Sequence, residues 1–130
     1  MSTNKEYLQN EREKEWRVEL RKNIANKERT AKERVRMNEM DPFERIKYQN
    51  KEVNLGLTAE QAQAEAMRCL DCPNPTCMEG CPVSINIPKF VKYIETGKFL
   101  DAAKTLKETS ALPAVCGRVC PQEKQCEATC

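Results

Sequence analysis

Apolar residues are sparse over the first forty positions of the chain and recur there at helical spacing. This stretch, which we call the leader (residues 1–40), is rich in charged residues and contains neither glycine nor proline. Its isolated apolar residues fall four or seven positions apart: Trp16, Leu20, Ile24, Ala31 and Val35. This spacing is typical of a helix with one narrow apolar stripe, so we predict a long, charged N-terminal helix. Since such a stripe cannot form a core alone, we expect Trp16, Leu20 and Ile24 to contact a further domain or a partner subunit.

Two more helices are predicted before residue 70 because their starts carry capping residues. Asp41 precedes Pro42, and this pair predicts a short helix with an aspartate N-cap and proline in its first turn. Thr58 is followed three positions later by Gln61, which is the spacing of a capping box. The second of these helices should continue up to Cys69.

The segment between residues 82 and 113 predicts two short helices that form a hairpin. The first begins near Pro88 and ends at Gly97, because glycine commonly follows the last turn of a helix. The second spans about residues 99–109. Three apolar residues of the first helix are expected to face inward: Phe90, Val91 and Ile94. No segment alternates apolar and polar residues as a strand does, so the predicted fold class is all-α.

Composition indicates that apolar burial alone will not hold this chain together. Of its 130 residues, 39% are hydrophobic, 32% are charged and only 5% are aromatic. A bound metal cluster could make up the difference, because the free energy of metal ligation contributes directly to folding.

Charge and segment length restrict the cellular setting. A net charge of +2 indicates neither nucleic acid nor a membrane surface as the partner. The N-terminus lacks the apolar stretch of a secretory signal, and no apolar run is long enough to span a bilayer. We therefore expect a cytoplasmic protein, in a reducing compartment where thiols stay available for metals.

Eight cysteines form two groups of four in the second half of the chain. The first cysteine group is Cys69, Cys72, Cys77 and Cys81, and the second is Cys116, Cys120, Cys126 and Cys130. Short gaps of this kind let one loop wrap an iron–sulfur cubane and supply three thiolates. A cysteine next to a proline often ligates a different cluster. The spacing therefore predicts iron–sulfur clusters.

Three other interpretations account for the cysteines less well. A structural zinc-binding or protein-interaction module with two four-cysteine sites is the main alternative, although the gaps lack the paired Cys-x2-Cys knuckles of such modules. A disulfide scaffold requires an oxidising compartment. A cysteine nucleophile would lack its usual base, since the chain has no histidine.

Two strings of sequence resemble a known family. EAMRCLDCPNPTCMEGCPVSINIPKF and LPAVCGRVCPQEKQCEATC are similar to the amino-terminal iron–sulfur domain of the NADPH-dependent glutamate synthase small (beta) subunit family. The same domain occurs at the N-terminus of dihydropyrimidine dehydrogenase and in related flavin-containing, electron-bifurcating transhydrogenase subunits. The resemblance covers about residues 50–130. It implies an all-helical domain that holds two [4Fe-4S] clusters and relays electrons to or from an FAD and NADPH module.

The resemblance also implies a ligand for most positions of two interleaved clusters. It assigns Cys69, Cys72, Cys77 and Cys130 to the first cluster. It assigns Cys81, Cys120 and Cys126 to the second cluster. The fourth ligand position of the second cluster has three possible explanations. It is filled by Cys116, it is open to solvent, or its ligand lies in a part of the sequence that is missing here.

The resemblance further divides the protein into parts with separate roles. The chain has four glycines and no G-x-G-x-x-G turn, so FAD and NADPH are expected only in a missing remainder, and the chain is expected to be a fragment. We predict a charged helical leader at residues 1–40 and a two-cluster domain at residues 41–130. No catalytic site is expected in this chain alone, and its partner should be the FAD and NADPH domain or subunit of an oxidoreductase.

Cations near a negatively charged cluster should favour its reduced form. Five basic residues lie close in sequence to the cysteines or the helical hairpin: Arg68, Lys89, Lys92, Arg118 and Lys124. We expect Arg118, between two cysteines of the second group, to be the foremost of these.

Overall fold

The computed structural model describes residues 2–130, with side chains from residue 4 onward. Its α-helices are α1 (Ser2–Arg12), α2 (Glu15–Asn23), α3 (Asn26–Ala31), α4 (Pro42–Arg45), α5 (Ala59–Ala66), α6 (Thr76–Glu79), α7 (Ile87–Glu95), α8 (Phe99–Lys107) and α9 (Pro113–Val119). Two strands, β1 (Asn38–Glu39) and β2 (Asn54–Gly56), and two 3₁₀ turns, Gln122–Lys124 and Glu127–Thr129, complete the fold. The all-α class is therefore confirmed.

The leader is not one long helix, and this part of the prediction is wrong. Extended backbone at Lys14 (ψ 136°) and Ala25 (ψ 149°) breaks it into α1, α2 and α3, and the chain leaves α3 extended at Lys32. Helix propensity favours continuation, but tertiary contacts of the arginines in these short helices override it. Trp16 of α2 stacks on Tyr93 of α7 with ring centroids 4.8 Å apart, so one face of its half-buried ring is covered within the same chain.

The interior is unusually polar. Among residues 4–130, the buried apolar side chains are Ala66, Ile85, Pro88 and Ala102, whereas ten buried residues are polar or charged. Helices α7 and α8 pack as the predicted hairpin, and α5 packs against α7. Fully buried apolar side chains are therefore few in this fold, in agreement with the composition.

Helix α7 buries a different face from the predicted one. Its buried side chains are Pro88, Lys89, Lys92 and Glu95, whereas the three apolar residues expected inside, Phe90, Val91 and Ile94, are half-buried. The charged face is buried because Arg29 and Glu11 of the leader and the Cys69 carbonyl in the loop after α5 lie against it. Hydrophobic periodicity alone cannot detect such a polar contact.

Capping residues set the helix boundaries as predicted. The Asp41 side chain accepts the Phe43 N–H at 2.9 Å at the start of α4. Thr58 and Gln61 form the reciprocal capping box of α5, although α5 ends at Ala66, before Cys69. Gly97 has φ +75° directly after α7, a left-handed conformation that glycine adopts without strain.

A short antiparallel sheet joins the end of the leader to the segment just before α5. Asn38 pairs with Gly56, and Glu39 pairs with Asn54. Only five residues are involved, which is consistent with the lack of alternation in the sequence. None of the helices in residues 2–130 is long and apolar enough to cross a membrane.

Candidate metal centre

The loop between the first two cysteines is formed around a buried aspartate. Asp71 is fully buried and has φ +54°, a conformation that aspartate tolerates better than most residues. Three leader arginines bind it. Arg17 donates to the carboxylate, with Nε 3.3 Å from Oδ2, Arg21 donates at 2.7 Å to the same oxygen, and Arg12 donates at 2.8 Å to the Asp71 carbonyl. The leader therefore holds this loop in its turn.

A second set of charged contacts fixes the end of α5 and the first cysteine. Arg29 donates to the Met67 carbonyl at 2.7 Å and pairs with Glu95 at 3.0 Å. Lys92 donates to the Cys69 carbonyl at 2.7 Å and pairs with Glu95 at 2.6 Å. Helix α7 thus holds the Cys69 backbone directly, and the leader holds the backbone two residues before it, at Met67.

The last cysteine of the chain is brought to the third one by a contact between α6 and the second 3₁₀ turn. Thr76 and Thr129 exchange hydrogen bonds: the Thr76 hydroxyl donates to the Thr129 carbonyl, and the Thr129 hydroxyl donates to the Thr76 carbonyl at 3.1 Å. Each threonine is the direct neighbour of a cysteine, Cys77 or Cys130. This exchange joins segments that are about fifty residues apart in sequence.

Gly80 permits the same close approach. A Cβ atom at this position would lie 2.7 Å from the Gln125 carbonyl oxygen and 2.8 Å from the Thr129 hydroxyl. These distances are shorter than van der Waals contact, so any side chain would push α6 away from the 3₁₀ turns. Glycine is therefore required between Cys77 and Cys81.

The thiols of the first group and of the chain end lie close enough to affect one another. Burial raises the pKa of Cys77 to about 12, and negative charge on neighbouring cysteines acts in the same direction: Cys69, Cys130, Cys72 and Cys126. Four thiolates in such a place repel one another, so a cationic metal group would be needed to stabilise them together.

Two further thiols are shifted by burial. Burial raises the pKa of Cys69, while the Lys92 ammonium opposes that shift. Burial also raises the pKa of Cys126, and negative charge on Cys81 adds a little to this. Cys126 is therefore near Cys81 as well as near Cys77.

The remaining two cysteines lie one turn apart at the C-terminal end of α9, with Cys116 inside the helix and Cys120 directly after it. The Cys120 N–H donates to the Cys116 carbonyl at 2.9 Å, so the two residues share one side of the helix. The Cys120 thiol donates to Gln125 Oε1 at 2.7 Å. The Cys116 sulfur lies 3.9 Å from the Ser110 hydroxyl.

Lys92, and not Arg118 as expected, is the basic residue buried against the cysteines. Arg118 is exposed and pairs with Glu52 at 2.5 Å, and Arg68 pairs with Glu65 within α5 and its C-terminal turn. Lys92 is instead fully buried against Cys69. Asp71 and the four leader arginines around this loop were not predicted as part of the site, because a run of basic residues in a charged helix gives no signal of burial.

The donor set fits an iron–sulfur group. All eight cysteines are free thiols, and thiolates are the ligands that iron–sulfur clusters use. Within residues 2–130, no three of the Cys, Asp and Glu side chains are placed to hold a single metal ion. A tetrahedral zinc site would need sulfur atoms about 3.8 Å apart, whereas the thiolates around a cubane bind separate iron atoms.

A buried amide near Cys72 lacks a protein acceptor. Within the described chain, Asn86 Nδ2 is buried without a hydrogen-bond partner, while the Asn86 oxygen caps α7 by accepting the Lys89 N–H at 3.2 Å. Asn86 and Cys72 line the same small cavity. A sulfur-rich group at Cys72 would offer the acceptor that this amide needs.

Comparison with known proteins identifies one family and several relatives. A family model for dihydropyrimidine dehydrogenase domain II, 4Fe-4S cluster, matches residues 45–130. The glutamate synthase [NADPH] small chain of Escherichia coli is 49% identical over 70 residues, which are 54% of this chain and 15% of that protein. The NAD-dependent dihydropyrimidine dehydrogenase subunit PreT of Escherichia coli is 42% identical over 79 residues, 61% of this chain and 19% of that protein.

A third relative carries a different description. The putative oxidoreductase UacF of Escherichia coli is 40% identical over 80 residues, which are 61% of this chain and 12% of that protein. The chain thus spans less than a fifth of the length of each of these relatives.

Proposed function

The chain belongs to the dihydropyrimidine dehydrogenase domain II family of 4Fe-4S proteins, and we propose that it relays electrons through two [4Fe-4S] clusters in an NADPH-dependent, glutamate synthase-like oxidoreductase. When bound, such clusters accept and release single electrons. The observation that carries the proposal is the contact between α6 and the second 3₁₀ turn, which joins Thr76 to Thr129 and so brings the two cysteine groups together.

Cys69, Cys72, Cys77 and Cys130 would hold the first cluster. Support comes from the charge interactions among these four thiols and from the close approach at Gly80. The leader would hold the Cys69–Cys72 loop in the geometry that ligation needs, through its arginine contacts with Asp71.

Cys81, Cys120 and Cys126 would hold the second cluster, with Cys116 as the candidate fourth ligand in this chain. The charge interaction between Cys81 and Cys126 supports the first part of this assignment. The position of Cys116 on α9, one turn before Cys120 at the end of that helix, supports the second part. Retention of both clusters in a Cys116→Ser variant would assign the fourth position to another group.

We propose a flavin as the immediate exchange partner, in an FAD and NADPH domain or subunit. Two of the relatives, a glutamate synthase small chain and a dihydropyrimidine dehydrogenase subunit, support an oxidoreductase setting. The division into a leader at residues 1–40 and a cluster domain at residues 41–130 also stays a proposal, supported by a family match that begins at residue 45.

Anaerobic reconstitution with iron and sulfide tests the function. The protein should bind about eight iron and eight sulfide ions per chain, and the resulting visible absorbance should bleach with dithionite. Zinc binding without iron or sulfide after anaerobic purification would instead support the structural zinc module.

A further inference from the structure

Three charged side chains are buried together between the leader, α7 and the first cysteine. Arg29 and Lys92 have no exposed surface, and Glu95 is 7% exposed. Glu95 pairs with Arg29 at 3.0 Å through one carboxylate oxygen and with Lys92 at 2.6 Å through the other. We call this group the buried triad.

The buried triad contains two cations and one anion, so it leaves one positive charge in the interior. Asp71, the other buried acid near the cysteine loop, is itself bound by Arg17 and Arg21. An uncompensated buried charge is costly, and burial is tolerated when a nearby anion balances it. A further negative group close to Lys92 is therefore needed to balance the positive charge that the buried triad leaves.

That group lies at Cys69. The Lys92 ammonium donates to the Cys69 carbonyl at 2.7 Å, so its positive charge lies beside the first cysteine of the site. The remaining hydrogen bonds of Arg29 go to carbonyls at the end of α5 and in the leader, which are neutral acceptors. Hence the nearest place for the balancing anion is the thiolate-ligated group itself.

We propose that the buried triad of Arg29, Glu95 and Lys92 is the countercharge of the metal group bound at Cys69 and that it sets the reduction potential of that group. This inference rests on the proposed function. Transfer of one electron from a reduced flavin, or from dithionite in the test, adds one negative charge at the thiolates and needs no proton. A fixed positive charge at Lys92 therefore favours the reduced state more than the oxidised state.

The charge arithmetic predicts opposite shifts from two neighbouring substitutions. Lys92→Met removes a cation and should lower the ratio of reduced to oxidised cluster at a fixed potential by about tenfold, equivalent to about 59 mV for a one-electron couple. Glu95→Gln removes the anion and should raise that ratio. Structural damage alone has no reason to move the potential in opposite directions.

Lys89→Met is the matched control on the same helix. Lys89 is also largely buried, but Glu108 at 2.9 Å and Glu11 at 3.7 Å already balance its charge. The potential of each cluster-loaded variant would be measured by an anaerobic redox titration monitored by electron paramagnetic resonance. The signal to follow is the one lost in Cys130→Ser.

The outcomes separate this inference from the proposed function. Wild-type protein that binds no iron and sulfide would refute the function before any potential is measured. Intact clusters with a Lys92→Met potential no lower than that of Lys89→Met, or with Lys92→Met and Glu95→Gln shifted in the same direction, would overturn the inference alone.

A further pair of variants decides the case in which Lys92→Met does not retain its cluster. Lys92→Arg keeps the positive charge, so retention of the cluster by this variant would support the countercharge. Loss of the cluster in both variants would indicate that packing at this position matters rather than charge, and it would overturn the inference.

Discussion

Replacing Asp71 by asparagine removes one buried negative charge while the backbone keeps its conformation. Asparagine has nearly the same shape as aspartate and tolerates the same positive φ. The substitution leaves Arg17 and Arg21 without their carboxylate at the place where the leader holds the Cys69–Cys72 loop. It therefore tests whether the leader is part of the first cysteine site.

The expected cost follows from burial. Arg17 has a side-chain exposure of 3%, whereas Arg21 retains 16%. Breaking a buried ion pair by removing one partner costs about 3–5 kcal/mol. Because Arg21 is partly solvated and also contacts Glu13, we expect the lower end, about 3 kcal/mol. The contact between Arg12 and the Asp71 carbonyl should persist.

Hydrogen–deuterium exchange of the cluster-loaded protein measures this cost where it arises. A loss of about 3 kcal/mol in the local free energy of opening should speed exchange in α2 about a hundredfold. Glu13→Gln is the matched control, since Glu13 binds two of the same arginines from the surface, at 2.7 Å to Arg12 and 3.4 Å to Arg21. An exposed pair of this kind contributes at most about 1 kcal/mol.

The two variants must differ for the reasoning to hold. If Asp71→Asn accelerates exchange in α2 no more than Glu13→Gln does, the buried arginine contacts do not hold the leader on the loop. If exchange rises equally in every helix, the aspartate supports the whole fold rather than this contact.

Three other predictions concern the chain end, the metal and a surface ion pair. Gly80→Ala should cost about 1–3 kcal/mol and reduce iron binding, because its methyl group would meet the Gln125 carbonyl. The control Gly117→Ala should bind iron normally, because its methyl group would have no atom within 4 Å outside its own helix. Equal iron contents would contradict the close-packing argument. Removal of iron should raise hydrogen exchange in α6 and both 3₁₀ turns far more than in the α7–α8 hairpin, and a uniform rise would argue against local support by the metal. The Arg118 side chain, through its hydrogen bond, lowers the pKa of Glu52 from 4.5, so the pair stabilises the fold above that pH and loses its effect as the pH falls through the lowered pKa. In Arg118→Gln the Glu52 pKa measured by NMR should rise towards 4.5, and an unchanged value would refute the pairing.

Local signals predicted several helix boundaries correctly. The Asp41 cap, the Thr58 and Gln61 capping box and the Gly97 helix end act through bonds between residues close in sequence. Such contacts depend little on the rest of the fold, so residue type and spacing suffice to predict them.

The leader could not be predicted in the same way. Its sequence satisfies the criteria for one charged helix, yet its breaks at Lys14 and Ala25 allow Arg17 and Arg29 to reach acceptors in and around the first cysteine loop. These contacts span about 40 to 55 residues of sequence. An arginine that will be buried by a distant acceptor looks the same in sequence as one that stays in solvent.

The sequence predicts candidate donors for the site, but it did not predict the charges that surround them. Cysteine spacing identified the candidate ligands, and the family match supports a 4Fe-4S domain. Proximity in sequence favoured Arg118 as the nearest cation, whereas the fold buries Lys92 against Cys69 and leaves Arg118 on the surface with Glu52. Placement of charge around a site depends on which helices pack together, and a single sequence does not show that.

The iron content of a Cys130→Ser variant tests the central claim most directly, because interleaved ligation makes the end of the chain part of the first site. We predict that reconstituted wild-type protein binds about eight iron ions and that Cys130→Ser binds about four, with the electron paramagnetic resonance signal of the second cluster intact. Loss of both signals, or retention of both with unchanged iron content, would contradict the assignment of Cys130 to the site of Cys69, Cys72 and Cys77.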